Sequence, residues 1–404
     1  MTLSFLYILL INFGLILDLI GISRLLVLAS ISSFYILENS NLYYIKYIDF
    51  IYFLYLFIRI STINNFGEIK LLTGEITFYI CILASRILYK RININQINKA
   101  VLWVSIVNLP FSVIKLITIG QDEMYLGTFG LSVGEIGSYI TPITIFYLII
   151  NYKKFIESHG FFLYSISISS MIILGIASEK KFLYIFSILL FIYYTVFVNY
   201  KKLFKTIKII LSVRSIFILI SIIYIALYGL RNNPEVKHIT ETFSANYYQF
   251  AYEYVTRSMD NDSASGLYKS NRDSQDKSEG RFTIINKCFN IIKRNPNNSY
   301  GLGTFSFASG LNRTNEQLQR LDIVGAIPTF WKISLESSIY AGLTLVAYII
   351  SSFINHLNNI RRFSSTYNKM YFAIIFMFLI DIFFYSESTF TIPPLNVLVS
   401  SLFI

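Results

Sequence analysis

The sequence predicts an all-α fold: a polytopic membrane bundle of about twelve transmembrane helices with one large loop. Three observations predict it. Of the 404 residues, 54% are hydrophobic and only 14% charged, whereas soluble domains carry about 25% charged residues. Apolar runs near the roughly 20 residues that cross a bilayer recur along the chain, separated by short basic stretches. No run alternates apolar and polar residues as a strand does, and backbone in lipid has to satisfy its own hydrogen bonds, which leaves helices.

Taken in order, the runs place spans near 3–21, 24–38, 47–63, 71–89, 99–118, 131–151, 160–177, 182–199, 209–229, 328–352, 370–385 and 388–404. The first run begins at Leu3 with no Lys or Arg before it, which makes a poor signal-peptide start, and it reads as an uncleaved span. With the N-terminus inside, the short inner connections hold thirteen cations: Lys46, Lys90, Arg91, Lys99, Lys153, Lys154, Lys201, Lys202, Lys205, Lys208, Arg361, Arg362 and Lys369. The short outer ones hold four: Arg24, Lys70, Lys180 and Lys181. The positive-inside rule then puts both termini inside and residues 230–327 outside. The net charge of +11 thus reads as orientation, with no nucleic-acid partner.

Three parts follow: residues 1–229, an N-terminal bundle of about nine spans; 230–327, the external loop with amphipathic helices; and 328–404, the C-terminal spans. A connection of this length is too long to be idle. Residues 239–259 place Phe243, Tyr247, Phe250 and Tyr254 at helical spacing, and 258–280 are rich in Ser, Asp, Asn and Gly. Residues 281–295 predict an amphipathic helix with Phe282, Ile285, Phe289 and Ile292 on one face and Asn286, Asn290 and Lys293 on another. Lys293 and Arg294 suit its C-terminal turn and Pro296 stops it. Such a helix lies on the membrane face or caps the bundle.

Ionisable groups at membrane depth are functional candidates, weighed against snorkelling to the interface. Arg59, Lys115, Arg231, Lys180 and Lys181 map to outer span ends, and Arg281 opens the external helix; Arg86 and Arg214 fall near the inner face. Outer cations suit an anionic headgroup, since arginine matches phosphate oxygens with a fixed fork of donors. The turn YGLGTFSFASG (300–310), with Gly301 and Gly303, has a partial echo in YLGTFGLSVG (125–134); exposed backbone N–H groups in such a turn can cradle an anion. Glu336 and Asp381 lie within later spans as candidate bases or ion-pair partners. Asp260-Asn261-Asp262 looks like a metal-binding DxD but sits in the polar stretch. His159, His238 and His356 are scattered, and Cys81 and Cys288 have no metal spacing and no expected disulfide. No metal or cofactor is expected.

On these residues the chain resembles the O-antigen polymerases and ligases of bacterial surface polysaccharide assembly, the Wzy-type and related proteins. The motif runs from Gly280-Arg281 through a helix ending at Pro296 to Gly301-Leu302-Gly303-Thr304-Phe305, then Leu335-Glu336 to Gly342 in the next span. Gly127 to Gly130 match a further turn of that family. The ligases carry a His-Asn pair where this chain reads Ile327-Pro328-Thr329-Phe330-Trp331, which favours a polymerase. Ser178-Glu179-Lys180-Lys181 stands where the family often has a Ser-x-x-Arg-like element.

The resemblance implies an inner-membrane enzyme with a periplasmic loop. It would transfer glycan en bloc from undecaprenyl pyrophosphate to the next lipid-linked repeat unit. Arg281 and Arg231, with Lys180 or Lys181, would hold the pyrophosphate beside Gly301 and Gly303, and Glu336 would be a base for the acceptor hydroxyl. Its partners would be the lipid-linked oligosaccharide, membrane lipids and a chain-length regulator. A ligase, a flippase or transporter, and a membrane scaffold are the alternatives. A transporter predicts paired charges within the membrane; a scaffold predicts replaceable outer cations.

Overall fold

The computed structural model describes residues 23–38, 45–63, 66–89, 94–118, 134–177, 281–305, 327–359 and 365–385, with single positions at 186, 187, 189, 190, 192, 321, 323 and 390. The expected spans near 3–21 and 209–229, and most of those near 182–199 and 388–404, lie outside the described residues. All regular structure among the described residues is helical.

The elements are α1 (Arg24–Glu38), α2 (Asp49–Ser61), a 3₁₀ helix (Phe66–Leu72), α3 (Thr73–Tyr89), α4 (Ile94–Thr118), α5 (Gly134–Ile150), α6 (Tyr152–Ala177), α7 (Arg281–Arg294), α8 (Thr329–Ser337), α9 (Ile339–Asn359) and α10 (Ser365–Ile380), which continues into a π turn (Asp381–Tyr385). Among the described residues, three stretches are long and apolar enough to cross a membrane: Ile97–Ile114, Tyr152–Gly175 and Ile339–Leu357.

One expected span turns out to be broken, and a second break falls at the start of another. Residues 328–352 form α8 and α9 with a break at Ser338, whose φ of 85° and ψ of 160° are not helical. Gly160 takes nearly the same angles, φ 84° and ψ 162°, and divides α6 just where the apolar run begins. Glycine adopts this conformation freely, whereas serine has to be held there.

The largest core joins α2, α3, α5, α6, α8, α9 and α10 through side chains such as Tyr52, Phe78, Phe146, Met171, Phe330, Tyr348 and Phe378. α4 and α6 share a smaller apolar cluster, in which Val101 and Leu102 of α4 pack against a group that includes Tyr164 and Ile168 of α6, and they also pack through polar groups. Asn98, Ser105, Asn108 and Ser112 are all buried, at helical spacings of one α4 face. Ser170 of α6 donates to the Ser105 carbonyl, and Tyr147 of α5 donates to Asn98 Oδ1 at 2.7 Å. Small and polar residues at such contacts let membrane helices approach and bond without an apolar driving force.

α2 and α3 run antiparallel and are tied at both ends. Near one end Arg86 is paired with Asp49, NH2 donating to Oδ1 at 2.8 Å, and Tyr348 of α9 sits 3.3 Å from the same oxygen. Near the other end Arg59 is paired with Glu75. About 15 Å of helix separates the two pairs, ten residues at 1.5 Å each. Between them lie Tyr52, Tyr55, Tyr79 and Tyr348, all buried, with ring centroids of Tyr52 5.3 Å from Tyr79 and 5.0 Å from Tyr348.

Candidate functional site

The site is built around the helix break. α8 ends because Ser338 leaves the helical region, so the last carbonyls of α8 need donors from elsewhere. The segment after α7 supplies them. The Tyr300 N–H donates to Leu335 O at 3.0 Å and the Gly301 N–H to Glu336 O at 3.1 Å. The Ser299 hydroxyl donates to Glu336 O as well, at 2.6 Å. On the far side of the break, the Ile339 N–H donates to Pro296 O at 3.3 Å. The polar segment is thus bonded to both helix stumps.

α7 lies across α8. Its buried side chains are Ile284, Ile285, Cys288 and Ile292, and all but Ile285 cluster with Phe305, Ile323, Ile327 and Leu335. This corrects the expected face. Phe282 and Phe289 remain about half exposed, pairing with Phe384 and Trp331 through tilted or edge-on rings at 6.2 and 6.3 Å. The slimmer residues 284 and 288, one turn apart, allow the close approach, and the phenyl rings are left at the margin. Burial pushes the Cys288 thiol up to about 12. Cys81 and Cys288 are both buried, with no disulfide between them.

At the break itself, three charged side chains meet almost without solvent. Arg59 Nε and NH2 donate to Glu75 Oε1 at 3.2 and 2.9 Å, NH2 also donates to Glu336 Oε2 at 2.9 Å, and NH1 donates to the Ser337 hydroxyl at 2.9 Å. The side chains of Arg59, Glu75 and Glu336 are 4%, 7% and 1% exposed. The other oxygen of Glu336 accepts the Phe305 N–H at 3.4 Å, and Thr62 Oγ1 lies 2.8 Å from Ser337 Oγ. Tyr52 donates its hydroxyl to the Glu75 carbonyl at 2.9 Å. A buried ion pair is weak evidence of net stabilisation, yet removing one member strands the others at a cost of about 3–5 kcal/mol.

This arrangement settles where several candidates stand. Arg59 does not snorkel; its guanidinium is committed to two carboxylates and a serine. Glu336 holds Arg59 through its side chain and the glycine turn through its carbonyl. Gly301 and Gly303 have φ of 93° and 75°, so both need a residue free to enter that region. A Cβ on Gly303 would lie 2.2 Å from Leu71 Cδ1, and one on Gly342 would lie 2.3 Å from Ser334 Oγ. Gly342 therefore lets α9 start close against α8.

Arg281 is half-buried at the N-terminus of α7. Ile284, one turn along, belongs to the apolar cluster that holds Leu335, and the far end of the helix leads to Pro296, whose carbonyl bonds Ile339. Asp381 is buried at the start of the π turn, His356 stacks on Tyr371 at 3.5 Å, and Arg86 is paired with Asp49. Arg231, Lys180, Lys181, Arg214, His238, Asp260 to Asp262, the echo at 125–134 and the side chain of Lys115 lie outside the described residues.

Glu75 and Ser337 are contributors to the break that the sequence reading left out, and Arg59 stood there only as one of several outer cations. A signal for the Arg59–Glu75 pair was present. Asp49 and Arg59 are ten apart in one apolar run, Glu75 and Arg86 eleven apart in the next. The order in both is acid then base, so folding the runs antiparallel places each acid against a base. Comparison with family models, curated proteins and solved structures finds no match.

Proposed function

We propose that this protein is a membrane oligosaccharide polymerase of the O-antigen polymerase kind. It would join undecaprenyl-pyrophosphate-linked repeat units at the periplasmic face of the inner membrane, within a bundle of about twelve spans. The observation that carries this reading is that the pieces of the motif fold as one unit. Helix 281–294, the turn 299–305 and the stretch at Leu335-Glu336 are bonded together at the break, as expected if they serve one function. The position of Arg281 supports it further. A basic residue at a helix N-terminus opposes the macrodipole, and the two positive fields combine to favour an anion there.

In this reading the acceptor hydroxyl attacks the anomeric carbon of the growing chain. The bond from that carbon to the pyrophosphate oxygen breaks, its electron pair leaving with the lipid pyrophosphate, and the hydroxyl proton passes to a base or to water. Arg281, Arg231 and Lys180 or Lys181 are the cations assigned to the developing charge. Glu336 would act as that base only after parting from Arg59, so its assigned role is to anchor the turn. No metal is required. A chain-length regulator remains the proposed protein partner.

The test is electrophoresis of surface polysaccharide from a deletion strain complemented with variants. The deletion should leave a single repeat on the lipid core. Arg281→Ala should fail to restore polymer at matched expression, and Arg281→Lys should restore a fraction. Normal chain lengths from Arg281→Ala would remove that residue from the site. Purified protein should also polymerise in excess chelator, and rescue by Mg²⁺ would bring back Asp260 and Asp262. Labelling of Gln275→Cys by an impermeant reagent, in a chain lacking Cys288, tests the periplasmic placement.

A second reading has one observation in its favour. A flippase or transporter is expected to bury paired charges, and Asp49–Arg86 and Arg59–Glu75–Glu336 are such pairs. It predicts that the deletion strain exports no repeat unit at all and accumulates lipid-linked units at the inner face.

A further inference from the structure

We propose that Arg59 is a positioning residue, which fixes the polar segment 296–305 and with it α7 on the bundle by gripping the helix break at Ser338. Serine at φ 85° and ψ 160° occupies a region in which glycine alone is at ease, and such a conformation persists only where its surroundings over-determine it. The surroundings here act from two sides. From one side, backbone groups of Pro296, Tyr300 and Gly301 bond Ile339, Leu335 and Glu336. From the other side, the Glu336 carboxylate is paired with Arg59, which also bonds Ser337 and is itself held by Glu75. Glu336 lies between the two sides, its carbonyl and Oε1 turned to the segment and its Oε2 to Arg59. The grip therefore passes from α2 and α3, through Arg59 and Glu336, to the turn.

The shape of the guanidinium matters as well as its charge. Nε and NH2 reach Glu75, NH2 reaches Glu336 as well, and NH1 reaches Ser337, so three residues are served at once in directions fixed by one plane. A lysine at 59 would bring one nitrogen, enough for a carboxylate pair but not for Ser337 as well.

The experiment uses the full chain in nanodiscs and compares wild type with Arg59→Lys and Ser337→Ala. Hydrogen exchange at the amides of Tyr300 and Gly301 should quicken at least tenfold in Arg59→Lys and severalfold in Ser337→Ala, with α6 unchanged. Ser337→Ala leaves both ion pairs in place and decides the matter if Arg59→Lys does not accumulate. The kinetic arm rests on the polymerase reading. There, kcat should fall about a hundredfold in Arg59→Lys, the loss expected from a small misplacement of a catalytic unit, while KM stays within about twofold. A role in folding alone would lower the amount of protein and leave the kcat of what remains unchanged. Wild-type exchange at residues 300 and 301 in both variants overturns the grip. Faster exchange with wild-type kcat overturns the positioning role. A wild-type protein that polymerises nothing sinks the polymerase reading alone, because the exchange result stands independently of it.

Discussion

Replacing Gly303 with alanine separates two reasons for a glycine in the turn. An alanine there would have to hold φ near 75°, in the left-handed region, at about 1–2 kcal/mol. Its methyl group would also lie 2.2 Å from Leu71 Cδ1. Relieving that overlap means shifting Leu71 or the turn, and overpacking of this kind costs about 1–3 kcal/mol. Gly303→Ala should therefore lose roughly 2–5 kcal/mol, the sum of the two effects. Leu71→Ala removes the clashing atoms and leaves the backbone cost. The double variant should thus recover about 1–3 kcal/mol relative to additivity. Reversible denaturation in mixed micelles, read for all four members of the cycle, measures that coupling. A coupling below about 0.5 kcal/mol, the scatter of independent sites, would refute the steric reasoning. Surface polysaccharide from the same strains adds the functional half. Restored stability without restored polymer would mean that the Gly303 backbone also approaches the substrate.

Two further predictions follow from burial. Asp49→Asn should destabilise by about 3–5 kcal/mol by stranding Arg86, whereas Asp49→Leu combined with Arg86→Met should be near neutral; equal losses in the single and double variants would show that the pair is not the cause. For Cys288, a thiol pushed up to about 12 is about one part in ten thousand thiolate at pH 8, because the thiolate is the reactive form. Its labelling in folded protein should rise tenfold per pH unit from 7 to 10, and a plateau above pH 8.5 would show an ordinary exposed thiol.

Much of the helical layout was legible because apolar run length and stop signals are local. The run at 24–38 and the helix ended by Pro296 appear where the sequence places them. The break at Ser338 was not legible, since no glycine or proline marks it. It exists because the segment at 296–301 satisfies the released carbonyls, a tertiary cause. The α7 face was misjudged for a related reason: hydropathy ranks phenylalanine above cysteine, but close packing against Leu335 and Phe305 selected the slimmer side chain. Arg59 and Glu336 are 277 residues apart, so nothing local joins them, although the matched spacing of charges in the 49–59 and 75–86 runs does foretell the α2–α3 pairing.

On the proposed topology, in which α2 and α3 cross the bilayer, that pairing bears on how the chain is made. Asp49 and Arg59 travel on one helix, Glu75 and Arg86 on the next. In a bilayer, a charged residue at the centre of a lone helix costs about 2.5–3.5 kcal/mol to insert, so each helix entering singly would meet that cost at its more central charge. Entering together as a hairpin, they bring every acid against a base, and the translocon would release α2 and α3 to the lipid as a neutral couple. Glu336 arrives some 260 residues of synthesis later, so the Arg59–Glu75 pair has to stand alone in the nascent protein, and the third charge closes onto it only when the C-terminal helices come into place.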